Sequence, residues 1–269
     1  MLKISNVRVY GIEESIVASG YPMLSKPYTE REFIDETADV DSVIYHDSIS
    51  KADLTKALKS IKRAEKLGSV PSGTGHDNYL RGIIVQYDVR YPVYWTPQFQ
   101  RYTGYNNIVS SMSSMHRLTK MNLDESMNEY VLPEMKWKLQ GMIDVYNEAL
   151  SNGQKTVIKQ TIKKRYNTQK TKVIELDNIV FFTNKDIATN VTGINLDINN
   201  EEIPIEDLYM YIISNCPQGL EKTMRVSTNY LQLKTMWHQR RNHKLKDWQV
   251  FCDEIEKLPY FKELTGCGL

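Results

Sequence analysis

Three stretches of this 269-residue chain gather side chains that a hydrophobic core would not call for. The first, SGTGHDNYLRGIIVQYDVRYPVYWTPQFQR (72–101), runs from a glycine-rich turn with His76 to Gln98 and Arg101. Gly73 and Gly75 would let backbone N–H groups approach an anion, and Arg101 could pair with one bidentately. No Gly-Lys-Ser/Thr follows, so this is not a Walker loop; the plain alternative is a turn carrying a surface histidine. The second, NIVSSMSSMHRLTK (107–120), brings four serines, His116 and Arg117 into one polar run. Hydroxyls, backbone N–H groups and a guanidinium suit a phosphate or an oxyanion, against the alternative of a solvated loop. No GxSxG elbow surrounds the serines, which argues against a Ser–His nucleophile. The third, NYLQLKTMWHQRRNHKLKDW (229–248), places Leu233, Met236, Trp237 and Arg240 on one side at helical spacing. Its apolar members read as core, and Arg240 and Arg241 as a solvated helix end. His238 and His243 are five apart and fall on different faces, which disfavours a two-histidine metal site.

Composition narrows the setting. Lys and Arg number 34 against 33 Asp and Glu, a formal net charge of +1, so no global field gathers polyanions. Hydrophobic residues at 41% and charged residues at 25% are ordinary for a globular chain. No window approaches the roughly 20 apolar residues of a membrane span. The opening MLKISNVRVYGIEES lacks the apolar stretch of a secretory leader. Cys216, Cys252 and Cys267 are an odd number without CxxC, which points to free thiols in a reducing compartment. The expectation is a cytoplasmic protein with no metal and no membrane.

The elements that must position these groups follow from periodicity. Residues 2–10 and 83–91 read as strands, with a short helix and an irregular connection after the first. SISKADLTKALKSIKRAEKL (48–67) reads as a helix capped by Ser50 and ended at Gly68. VYWTPQFQRY is aromatic and helical with Pro97 in its first turn, and 124–150 forms a long helix restarted near Pro133. Residues 154–172 are locally basic, 173–183 strand-like, and 184–202 a polar loop or small hairpin. A helix near Pro204, a strand LEKTMRVST and two helices over 229–258 complete the chain. The expected fold is α+β, a twisted mixed β-sheet flanked by helices, as one domain over 1–269 with an insertion near 152–202.

In this order, the three segments resemble the flavin-dependent thymidylate synthases. In that family a Gly-His leads through a strand to Gln-x-x-Arg and the signature RHRxxSxNxxSxR. His76, Gln98 and Arg101 fall on its histidine, glutamine and first signature arginine. After about four inserted residues, Ser110 falls on the first signature serine and Arg117 on the last arginine, with Ser113 or Ser114 able to fill the second serine. Asn229 and Arg240 match the asparagine and arginine of its C-terminal helix, and Pro217 matches a family proline. The departures are Tyr102 and Thr103 in the RHR triplet, Met112 at the asparagine, Met115 at the second serine and Ile213 at an arginine.

The resemblance implies methylation of dUMP to dTMP with FAD as cofactor, and NADPH and methylenetetrahydrofolate as co-substrates, in a homotetramer with sites between subunits. It implies a flavin site of His76, Asn78, Arg101 and Asn229. The pyrimidine deoxynucleotide would be held by Gln98, Ser110, Ser114, Arg117 and Arg240, with Arg240 catalytic. Tyr87, Tyr91, Trp95 and Phe99 are available for stacking, with Trp237 walling the pocket. The departures keep open another C5 modification of dUMP or dCMP on the same fold. A third reading is a non-enzymatic nucleic-acid-binding protein using the basic run KQTIKKRYNTQKTK, which the neutral total disfavours.

Overall fold

The computed structural model of the chain describes residues 2–45, 50–102, 104, 106–166, 174–183 and 196–269. Strand β1 (Lys3–Tyr10) pairs antiparallel with β2 (Ile84–Pro92). In β2, Val85, Tyr87, Val89 and Tyr91 all point into the core, the period-two burial its alternating sequence demands. The register shifts between Ser5 and Arg8, around Asn6 with its φ of 51°. Arg225 closes over that irregularity, donating to Asn6 O at 2.8 Å and Asp88 Oδ1 at 3.1 Å. The sheet order is β1–β2–β7–β3, with β3 (Asn107–Ser111) antiparallel to β7 (Glu221–Asn229).

The chain divides into two compact units, Met1–Ser111 with Lys222–Leu269, and Met112–Glu221. The first holds the four-stranded sheet and one continuous core. Helix α1 (Ile12–Ala18), α2 (Glu30–Tyr45) and α3 (Lys51–Gly68) bury Ile16, Val40, Ala57, Ile61 and Ala64 in it. The short α4 (Thr96–Phe99) adds Phe99, with Pro97 in its first turn as expected. Ser50 caps α3, its Oγ accepting from Asp53 N at 3.3 Å. The last residue of that helix must be glycine for a steric reason: a Cβ at Gly68 would sit 1.9 Å from Leu264 O.

The second unit contains the antiparallel sheet β5–β4–β6, from β4 (Thr156–Tyr166), β5 (Ile174–Phe182) and β6 (Leu196–Pro204). Before it come α5 (Ser114–Arg117), α6 (Leu123–Ser126) and α7 (Pro133–Ser151), the restart at Pro133 that the sequence marks. Helix α8 (Ile205–Ser214) buries Leu208 and Ile212, and Tyr209 meets Tyr146 of α7 with ring centroids 5.5 Å apart.

Three expectations change. Residues 30–45 form a helix rather than an irregular connection. Its start is a capping box: Glu32 N donates to Thr29 Oγ1 at 3.2 Å and Thr29 N donates to Glu32 Oε2 at 2.8 Å. The basic run from 154 becomes β4, where Lys159 pairs with Glu201 on β6 at 2.9 Å; residues 167–172 of that run lie outside the described residues. Residues 196–202, part of the stretch expected as loop or small hairpin, join Ile203 and Pro204 in the edge strand β6 because nine residues of β4 offer them a ladder. Cys216, Cys252 and Cys267 are free thiols. Among the described residues no helix is long and apolar enough to cross a membrane, and no three His, Cys, Asp or Glu side chains gather as metal ligands.

Candidate functional site

Helix α9 (Tyr230–Arg240) starts where Asn229 Oδ1 accepts from Gln232 N at 2.9 Å. Asn229 itself is buried, so its amide oxygen serves as a helix cap, worth about 1 kcal/mol. Tyr230, Leu233 and Met236 bury one face of the helix, and that anchoring carries Arg240 in the last turn to a fixed place. There Arg240 Nε donates to the Tyr102 hydroxyl at 2.7 Å and Nη1 to Gln98 Oε1 at 3.4 Å. The guanidinium lies 4.8 Å from the Trp248 ring centroid and 5.5 Å from that of Tyr102. Trp248, in α10 (Lys246–Ile255), is fully buried and donates Nε1–H to the same Gln98 oxygen at 2.8 Å. The Tyr102 hydroxyl in turn donates to Gln239 Oε1 at 3.0 Å.

The directions of these bonds are set by chemistry. Arginine and the indole N–H only donate, so the atom of Gln98 facing both must be its oxygen. What Gln98 has left to offer is its amide nitrogen, a donor. Tyr102 accepts from Arg240 and donates to Gln239, and the acceptors of the cluster are thereby engaged. The cluster presents donors, which suits carbonyl or phosphate oxygens and an anionic reacting ring.

The sequence placed Gln98 and Arg240 among the site residues, and the structure brings these two together. His76 and Asn78 are exposed, on the turn after α3 and at the start of a single 3-10 turn (Asn78–Arg81). Arg101 is exposed just past α4. Ser110 lies in β3, in the first unit, with every residue of that strand exposed. Ser114 and the exposed Arg117 share α5, in the second unit.

The aromatic expectations need correcting. Tyr87, Tyr91, Trp95 and Phe99 are core side chains with no face open to a ligand, Trp95 stacking on Phe99 at 4.5 Å. Trp237 does not wall Arg240; its Nε1 donates to Glu256 Oε1 at 2.7 Å. The ring under the guanidinium is Trp248, which sequence reasoning assigned no role. Arg241 pairs with Asp253 and, at 3.7 Å, with Glu256. Tyr102 and Gln239 were also missed. Tyr102 stood in the sequence as a departure from RHR, and a hydroxyl in place of an imidazole was the available signal. Burial, followed by the nearby Lys234 ammonium, holds the His238 imidazole below its ordinary pKa.

No family model matches the chain, and no curated protein matches it in sequence. Solved structures do match. The flavin-dependent thymidylate synthase ThyX from Helicobacter pylori, complexed with FAD and dUMP, aligns at a TM-score of 0.52 and 11% identity over 98% of this chain and 99% of that chain. Another structure of that enzyme with FAD and dUMP aligns at 0.51 and 12%, over 98% and 97%. The UMP/dUMP methylase PolB from Streptomyces cacaoi, bound with 5-Br dUMP, aligns at 0.52 and 8%, over 100% and 96%. The α+β fold of this chain, antiparallel sheets flanked by helices, is therefore that of the flavin-dependent thymidylate synthases, as the resemblance of its three segments implied.

Proposed function

We propose that the chain is a flavin-dependent enzyme that modifies C5 of dUMP, and that the modification is methylation to dTMP with methylenetetrahydrofolate and NADPH. The observation that carries this reading is the donor cluster on Trp248. In this reading the guanidinium, held over Trp248 by Tyr102 and Gln98, donates to the O4 carbonyl of a uracil. It disfavours a cytosine, whose 4-amino group would put donor against donor. The same fixed charge stabilises negative charge developing on the ring as C5 becomes nucleophilic. Ser110, Ser114 and Arg117 take the phosphate in this reading, on the strength of the signature they match.

The residues present fit a flavin dinucleotide. His76, Asn78 and Arg101 are exposed donors. A Cβ at Gly73 would meet nothing within 4 Å, and one at Gly75 only Asn78 Nδ2 at 3.8 Å, so a pyrophosphate can reach that backbone. Asn229 keeps its amide NH2 after capping the helix. FAD, when bound, supplies the redox carrier between reductant and one-carbon unit. The chain's own residues bind, orient and exclude water, and none need act as a nucleophile.

Anaerobic incubation with dUMP, methylenetetrahydrofolate, FAD and NADPH tests the reading. The expected product is dUMP heavier by one CH2, its C5 hydrogen replaced by methyl, with dCMP left unchanged. Turnover of dUMP to a product of any other mass would favour a different C5 modification, which the tyrosine at 102 and the isoleucine at 213 leave open. Absence of flavin binding and of any nucleotide product would overturn the proposal.

A further inference from the structure

Lys234 is a cation with no exposed surface, and among the described residues no other lysine is buried. Its three ammonium protons meet three acceptors: Gly68 O at 2.7 Å, Val70 O at 2.5 Å and Asp77 Oδ2 at 2.8 Å. Gly68 is the last residue of α3, Val70 opens the loop that follows, and Asp77 closes it immediately after His76. One ammonium thus ties both ends of the loop to α9 and also sits against the negative end of the α3 dipole. Between the two ends the backbone turns through Gly73 and Gly75, at φ 94° and 83°. The next residue of α9, Thr235, lines a pocket of about 350 Å³ with His238 and Gln239, and Ser69 to Ser72 form its other wall.

A buried ion pair is a poor device for stability, because apolar residues of similar volume usually do as well. What it offers here is direction, since three acceptors from three loop positions can meet one ammonium in only one loop conformation. We propose that Lys234 is a positioning residue, whose buried ammonium fixes loop 68–77, and with it His76, Asn78 and the pocket wall, against α9. The nature of what the pocket holds rests on the flavin reading above; the clamp does not.

The test is the double variant Lys234→Met/Asp77→Asn, which leaves no buried charge unpaired, with Lys234→Gln/Asp77→Asn, equally free of buried charge but still able to hydrogen-bond, as the milder variant should the first not fold. Peptide-resolved hydrogen exchange of 69–77 should quicken at least tenfold while α3 and α9 keep their protection. FAD affinity, read by flavin fluorescence quenching, should fall at least tenfold with the melting temperature near that of the wild type. Unchanged loop exchange overturns the proposal, and so does faster exchange with unchanged FAD affinity. A wild type that binds no FAD overturns the flavin reading instead, and the exchange comparison then decides the clamp alone.

Discussion

Arg240 becomes specific because its neighbours leave it few alternatives. A solvated arginine at a helix end would complement the dipole for about 0.3–1 kcal/mol and little else. Here Nε is engaged by Tyr102, Nη1 by Gln98, and the flat face by Trp248. Lysine cannot reproduce that planar fork. Arg240→Lys should weaken dUMP binding by roughly 10- to 100-fold in calorimetry, as charge-assisted bonds worth about 1.5–3 kcal/mol are lost, with the melting temperature near wild type. Arg241→Lys is the control, because Arg241 pairs only with Asp253 and Glu256 among the contacts described, and its dUMP affinity should not move. Gln98→Glu makes a sharper probe. One carboxylate oxygen can still accept from Trp248 and Arg240, but the other replaces a donor with a charged acceptor. It should repel the nucleotide more strongly than Gln98→Ala does, and equal affinities for the two variants would remove Gln98 from the site.

At the scale of elements, two segments carry testable roles. Arg117 is exposed in α5 and would be a surface charge if it bound nothing. If it holds the phosphate, Arg117→Ala should cost roughly 10- to 100-fold in dUMP affinity while leaving deoxyuridine binding unchanged. Equal losses for nucleotide and nucleoside would place Arg117 elsewhere. The second segment is the junction of α2 and α3, where Glu36 is buried. Burial pushes its carboxyl up, but donation from Tyr28 at 2.7 Å and Ser60 at 2.8 Å, with the Lys56 ammonium at 3.4 Å, outweighs that and leaves it below its ordinary value. A carboxyl depressed in the folded state adds stability above its unfolded pKa, about 4.3, and that contribution disappears as pH falls through the lower folded value. Glu36→Gln should therefore lower the melting temperature most near pH 7, and the gap to wild type should close below about pH 4. A gap independent of pH would mean the carboxylate charge is not what joins the helices.

For the molecule as a whole, the proposal requires more than one copy. His76, Asn78 and Arg101, assigned to the flavin in the proposed reading, are exposed on one chain, and in that reading a neighbouring copy completes the site. Sedimentation should give a mass near four times the 31.3 kDa chain, and the assembly should persist at the concentrations where turnover is measured. A strict monomer that still turns over dUMP would separate the activity from the assembly. A monomer without activity would leave the nucleotide-binding variants above to decide the site.

Much of this was legible in the sequence, because local rules do not depend on what packs against what. The β2 alternation, the Ser50 cap, the restart at Pro133 and the pairing of a strand with a helix at Asn229 each rest on a few adjacent residues. The Thr29–Glu32 capping box is equally local, lying just after the prolines at 22 and 27. The three polar segments in their order implied a fold that solved structures at 8–12% identity share. Tertiary structure decided the rest. Which aromatic lies under Arg240 depended on where α10 docks: Trp237 is three residues from Arg240 in sequence but bonds Glu256, whereas Trp248 arrives from another helix. That the locally basic run from 154 would form strand β4 depended on β5 and β6 supplying both of its ladders. That Lys234 would be buried depended on three acceptors, two of them backbone carbonyls, converging from residues more than 150 positions away. Side-chain periodicity records which face a residue occupies, whereas the partner that satisfies its charge is a property of the folded chain alone.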